Sequence, residues 1–85
     1  MQIEVTQADI VHGKACRAED LQRSTTCPVA HAIHRAGYPH ASVAPDWVRL
    51  GGLIGMRRWL PLKAQNFIVA FDDGKPVEPI TFDLP

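Results

Sequence analysis

The amino-acid sequence predicts a small α+β domain, a mainly antiparallel sheet of about four strands with two or three helices packed on one face. Three observations predict it. Apolar and polar residues alternate at both ends of the chain, with Ile3 and Val5 near the start and Ile80, Phe82 and Leu84 near the end; this is the period of a strand with one face on a core. Ala64, Phe67, Ile68 and Phe71 recur at spacings of three, four and three, the inward stripe of an amphipathic helix. Gly51-Gly52 separates two apolar-rich runs, and paired glycines supply the positive backbone dihedrals of a tight two-residue hairpin turn.

Each element follows from local chemistry. After the first strand, the Thr6 hydroxyl is placed to cap a helix whose third position is Asp9, in the manner of a capping box. Ile10 and Val11 would then face inward, and Gly13 is expected to end this helix within two turns. From Lys14 to Thr26 the pattern is lost, because Leu21 is the only large apolar residue and Ser24, Thr25 and Thr26 compete for helical hydrogen bonds. A surface loop is expected there, with a helical turn around Ala18 to Gln22.

Pro28 suits a first helical position with Cys27 or Thr26 as cap, and Gly37 closes the segment, so a helix is predicted over Pro28 to Ala36. Val29, Ala32, Ile33 and Ala36 form its inner side; Cys27, His31, His34 and Arg35 form its outer side. Ala41 to Ala44 reads as a strand stopped by Pro45-Asp46. The hairpin runs from Trp47 to Leu50 and from Leu53 to Trp59, with Gly55 marking a bulge or a close backbone approach. Leu60-Pro61 opens the last helix, Asp72-Asp73-Gly74 closes it, and Pro76 to Pro79 delivers the chain in extended form to the final strand.

Eighty-five residues make one domain, and a chain of this size buries only about 60 to 65 % of its unfolded surface, which leaves a thin core and no room for a deep cleft. Nine basic and nine acidic side chains cancel. That balance excludes an acidic nucleic-acid mimic and a broad phosphate-binding surface, so charged recognition must be local. The longest apolar run is a few residues and Met1 is followed by Gln2 and Glu4, so neither a membrane span nor a signal peptide is expected, and the expected compartment is the cytoplasm. In reducing surroundings Cys16 and Cys27 are expected to be free thiols, although their separation would permit a disulfide.

Two constellations carry possible chemistry. Cys27, His31 and His34 stand four and three apart on one predicted helix face, a spacing that invites a zinc reading. A structural zinc site usually takes four ligands and paired Cys-x-x-Cys spacing is absent, so no metal and no cofactor is expected. Catalysis by Cys27 with His31 as base lacks an orienting third group, and no catalytic residue is assigned. The second constellation is the hairpin, where Arg49, Arg57 and Arg58 alternate with Trp47 and Trp59. Trp and Arg are enriched where proteins dock on one another. A two-stranded ribbon of this composition also suits nucleic acid, but three arginines are too few for tight phosphate-driven binding. Arg49, Arg57, Arg58 and Trp59 are therefore expected to contact a protein partner.

Three segments resemble a family of small accessory proteins of tailed phages and prophages: Val5-Thr6-Gln7, Cys27-Pro28-Val29-Ala30, and Phe71-Asp72-Asp73-Gly74-Lys75-Pro76-Val77-Glu78-Pro79 before Thr81-Phe82. These are helix starts, a helix stop and a strand entry, and none is catalytic. The hairpin with Trp47, Arg57, Arg58 and Trp59 departs from the family pattern. The resemblance implies a non-enzymatic phage protein, and by size and class it is similar to anti-CRISPR inhibitors that bind a host CRISPR effector and block DNA binding or nuclease recruitment. The alternatives are a small nucleic-acid-binding phage regulator using the hairpin and a small zinc-binding module.

Overall fold

The computed structural model describes residues 1–18, 27–51 and 57–84. Its elements run β1 (Gln2–Val5), α1 (Gln7–Ala18), α2 (Pro28–Arg35), β2 (Ser42–Val43), β3 (Trp47–Arg49), β4 (Arg57–Trp59), α3 (Leu62–Asp72) and β5 (Ile80–Asp83). The predicted α+β class holds, but the strands divide into two sheets. β1 pairs antiparallel with β5, matching Ile3 to Phe82, while β2, β3 and β4 form a separate antiparallel sheet in that order. The two ends of the chain are joined further by Leu84, whose N–H donates to the Met1 carbonyl at 2.7 Å.

The core lies between these layers. Ile3 and Val5 from β1, Ile10 from α1, Val29, Ala32 and Ile33 from α2, Val48 from β3, and Ala64, Phe67, Ile68 and Phe71 from α3 are all buried in one cluster. The α3 stripe read from sequence is thus the stripe the helix buries, and Asp73 and Gly74 (φ 76°) end it as expected. On α2 the inward face is right except at its end, since Ala36 is the exposed cap.

α1 departs most from expectation. It continues through Gly13 for twelve residues, so residues 14–18 are helical rather than loop, and Val11 is exposed while Ile10 is buried. The reason is packing. A Cβ built on Gly13 would lie 2.7 Å from Pro28 Cδ and 3.1 Å from Phe71 Cζ, so the glycine is a contact point for α2 and α3 and does not terminate the helix. The expected helical turn at Ala18 to Gln22 falls largely outside the described residues.

In the hairpin Trp47 pairs with Trp59 and Arg49 with Arg57, while Gly52 of the expected two-residue turn lies outside the described residues. Gly51 has φ 110° and approaches His40 so closely that a Cβ would sit 2.9 Å from the histidine Cβ, which explains that glycine without a turn. Of the expected strand Leu53 to Trp59, β4 forms the end, and residues 53–56 lie outside the described residues.

Candidate functional site

Two places in the fold concentrate polar chemistry, and they are built in opposite ways. The first grows from the start of α1. Thr6 Oγ1 accepts the Asp9 N–H at 3.2 Å, and Asp9 Oδ2 accepts the Thr6 N–H at 2.8 Å and its hydroxyl at 3.1 Å. This is the reciprocal capping box read from sequence. Asp9 goes further than capping, because its side chain is wholly buried and α2 crosses above it. Arg35 donates Nη1 to Oδ1 at 2.6 Å and Nη2 to Oδ2 at 2.9 Å, a bidentate fork, and Nη2 also reaches the Glu4 carbonyl at 2.8 Å. His31 Nδ1 lies 2.5 Å from Oδ1. Burial works against the Asp9 carboxylate, but the bonds from Arg35, the Thr6 backbone, His31 and the Thr6 hydroxyl outweigh it and hold its pKa well below the usual carboxylate range. The same pairing raises the Arg35 guanidinium.

Around this clamp the His31 ring stacks on His12 at 4.5 Å between centroids, and His12 Nε2 lies 3.5 Å from Cys16 Sγ. Contacts therefore run from a thiol to a carboxylate, but the link between the two imidazoles is a stacking contact and carries no proton. The arrangement is a structural tie between α1 and α2 and lacks the continuous hydrogen bonding of a catalytic triad. Sequence reasoning found Asp9 as a cap and missed its partners; the signal available was His31 and Arg35 one helical turn apart on α2.

The zinc candidates part company. Cys27 is buried, contrary to its predicted outward position, because it is the α2 cap: its Sγ accepts the Ala30 N–H at 3.4 Å. Burial pushes this thiol up to about 11 despite the nearby Ala30 and Val29 N–H groups, far from the thiolate a metal or a nucleophile requires. His31 is held by Asp9, and His34 Nε2 donates to the Ala41 carbonyl at 2.7 Å. Among the described residues no three His, Cys, Asp or Glu side chains converge to hold a metal. Cys16 and Cys27 are both free.

The second place is the outer face of the β2-β3-β4 sheet. The register puts Trp47, Arg49, Arg57 and Trp59 on one side, with buried Val48 on the other. Three of the predicted partner-binding residues, Arg49, Arg57 and Trp59, come together here, while Arg58, paired with Val48, projects from the other face. The Arg57 guanidinium lies 4.8 Å from the Trp47 ring centroid and that of Arg49 6.0 Å, both within cation–π range. Trp59 is 70 % exposed, so it is no core anchor, and with Trp47, Arg57 and Arg58 it lines a surface hollow of about 300 Å³. Arg58 Nη1 donates to the Arg57 carbonyl at 3.0 Å. Among the described residues the ion pairs converge on Asp9, and no acid pairs with Arg49, Arg57 or Arg58.

No described helix is long and apolar enough to cross a membrane. No protein-family model, curated protein or solved structure matches the chain.

Proposed function

We propose that this protein acts by binding, without catalysis, and that it docks on a partner protein through Arg49, Arg57, Arg58 and Trp59. One observation carries the reading. Two arginines stand directly opposite each other on β3 and β4 with no acid beside them among the described residues, next to a tryptophan left mostly in water. Like charges directly opposed weaken a strand pair, and an exposed Trp-Arg cluster has the composition of an interface hot spot. Neither feature serves the fold. The absence of net charge favours a protein over bulk nucleic acid, whose binding needs many phosphate contacts.

The likeness to phage accessory proteins names the partner class: a host defence complex, and specifically a CRISPR effector whose DNA binding or nuclease recruitment would be blocked. That identity rests on the resemblance alone. The test compares the parent with the double variant Arg57→Glu, Arg58→Glu in a cell-based CRISPR interference assay and in capture of the effector from lysate. Inhibition and capture by the parent, both lost in the variant, support the reading. Equal capture by both proteins overturns the assignment of the surface. Submicromolar binding to duplex DNA that weakens steeply with salt, with no effector captured, replaces it with the nucleic-acid reading.

A further inference from the structure

The backbone of β4 shows how such a partner would be held. The Ala44 N–H donates to the Trp47 carbonyl at 2.8 Å and the Leu60 N–H to the Asp46 carbonyl at 3.0 Å. Trp47 therefore spends its polar groups on the β2 side, and backbone bonds between β3 and β4 fall at the Val48–Arg58 position. In an antiparallel ladder these roles alternate residue by residue. Arg57 and Trp59 are consequently in non-hydrogen-bonded pairs with Arg49 and Trp47, their side chains crowd those neighbours, and their own N–H and C=O groups point away from β3. Among the described residues β4 is also the last strand in its sheet.

An open edge and an unbalanced charge thus meet at the same residues. The carbonyl of Arg57 takes a bond from the Arg58 side chain, which shows that this edge has acceptor capacity facing outward. We infer that the outer edge of β4 accepts an extended acidic segment of the partner protein as an added strand, with a carboxylate beside Arg57 and an apolar side chain against Trp59; this rests on the docking surface proposed above. An added strand sets its alternate side chains on the Trp-Arg face, so backbone pairing supplies affinity and the Arg57 guanidinium selects for acid. The carboxylate would lie beside the Arg57 guanidinium that the Trp47 ring already holds in place, which reduces the ordering cost of binding. Arg58 would leave the Arg57 carbonyl to the incoming strand and turn to a second acid.

The experiment uses the whole protein and a short synthetic peptide alternating Glu with Val, its Gln-for-Glu counterpart, the Glu peptide with alternate backbone nitrogens methylated, and an oligothymidylate. Binding is read by tryptophan fluorescence and by exchange protection of the Arg57 and Trp59 amides. The Glu peptide is expected to bind saturably below about 1 mM and to slow exchange at both amides. The Gln peptide, the methylated peptide and Arg57→Glu should each weaken binding by roughly tenfold or more. No saturable binding by the Glu peptide overturns the inference, as does equal binding of the Gln or methylated peptide. Tighter binding of the oligothymidylate than of the Glu peptide overturns it in favour of single-stranded nucleic acid. Failure of the peptide alongside Arg57-dependent capture of the effector removes strand addition and leaves the docking surface standing. Peptide binding as expected alongside capture that ignores Arg57 and Arg58 removes the proposed function and leaves an acidic-strand site.

Discussion

Arg35 on α2 gives both terminal nitrogens to a buried carboxylate, whereas Arg57 on β4 has a tryptophan ring on one side and a second arginine across the strand pair. Both side chains reach solvent, yet only the first is tied into the fold. The difference lies in what each would leave behind. Without Arg35, Asp9 would remain as a buried charge with fewer donors, and an under-paired buried charge is costly. Without Arg57, nothing buried loses a partner. A guanidinium kept at no structural need beside a second one is what a surface built for an outside anion would present.

The largest effect expected anywhere sets the scale for that comparison. Phe71 is buried on α3 and its ring meets Gly13, so Phe71→Ala should cost about 3 to 5 kcal/mol. Arg35→Ala comes next, at about 3 kcal/mol, which in a domain this small lowers the melting temperature by more than about 10 °C. A thermal melt within a degree or two of the parent would show that Asp9 is satisfied without its fork and would erase the distinction between the two arginines. Acid tests the same clamp from the other partner. The folded Asp9 lies below its unfolded value, so its stabilisation is complete above the ordinary carboxylate pKa of about 3.9 and is lost as pH falls through the folded value. Urea midpoints measured from neutral pH downward should decline more gently in Asp9→Asn than in the parent. Parallel declines would place the acid sensitivity elsewhere.

The clamp and the surface were unequally legible in the sequence, for physical reasons. Periodicity is a property of single elements, so the α3 stripe and the alternation of β1 and β5 could be read directly. The capping box is local too, spanning Thr6 to Asp9, and it was legible for the same reason. What Asp9 does across the α1-α2 contact depends on residues more than twenty positions away, and local pattern carries no such information. Gly13 misled because a helical glycine demanded by a neighbouring Pro28 ring looks the same in sequence as one that ends a helix. Gly51 carries a requirement that pattern does not show either, its close approach to His40. Arg49, Arg57, Arg58 and Trp59 were singled out on composition, which carries no information on the register that sets Arg49 opposite Arg57 and Arg58 opposite Val48.

Gly13 gives a smaller, sharper test of how the clamp is seated. Alanine favours a helix by about 1 kcal/mol over glycine, which would raise stability if α1 stood alone. The proline ring at 2.7 Å cannot swing aside, and overpacking of this kind costs about 1 to 3 kcal/mol. Gly13→Ala should therefore be net destabilising, and the shift of α1 against α2 should change the chemical shifts of His12 and His31, whose stacking depends on that crossing. A stabilised variant with both imidazole signals unmoved would mean that the two helices are free to separate.

The smallest expected effect on stability belongs to the surface arginines, and it is the most discriminating. Arg57 and Trp59 are exposed, and the cation–π contacts with Trp47 are made in water, where each contributes about 0.5 to 1 kcal/mol. Against that contribution stands the repulsion between Arg49 and Arg57, directly opposed across the pair. The two largely cancel. Arg57→Glu also converts a like-charge pair into an opposite-charge one with Arg49, a change worth a few tenths of a kcal/mol in favour of the strand pair. The double variant Arg57→Glu, Arg58→Glu should consequently melt within about 0.5 kcal/mol of the parent while losing partner binding altogether. A melt depressed as far as that of Arg35→Ala would make these arginines structural and dissolve the contrast between clamp and surface. An unchanged melt with intact partner binding would leave the contrast in place and move the docking site to another face.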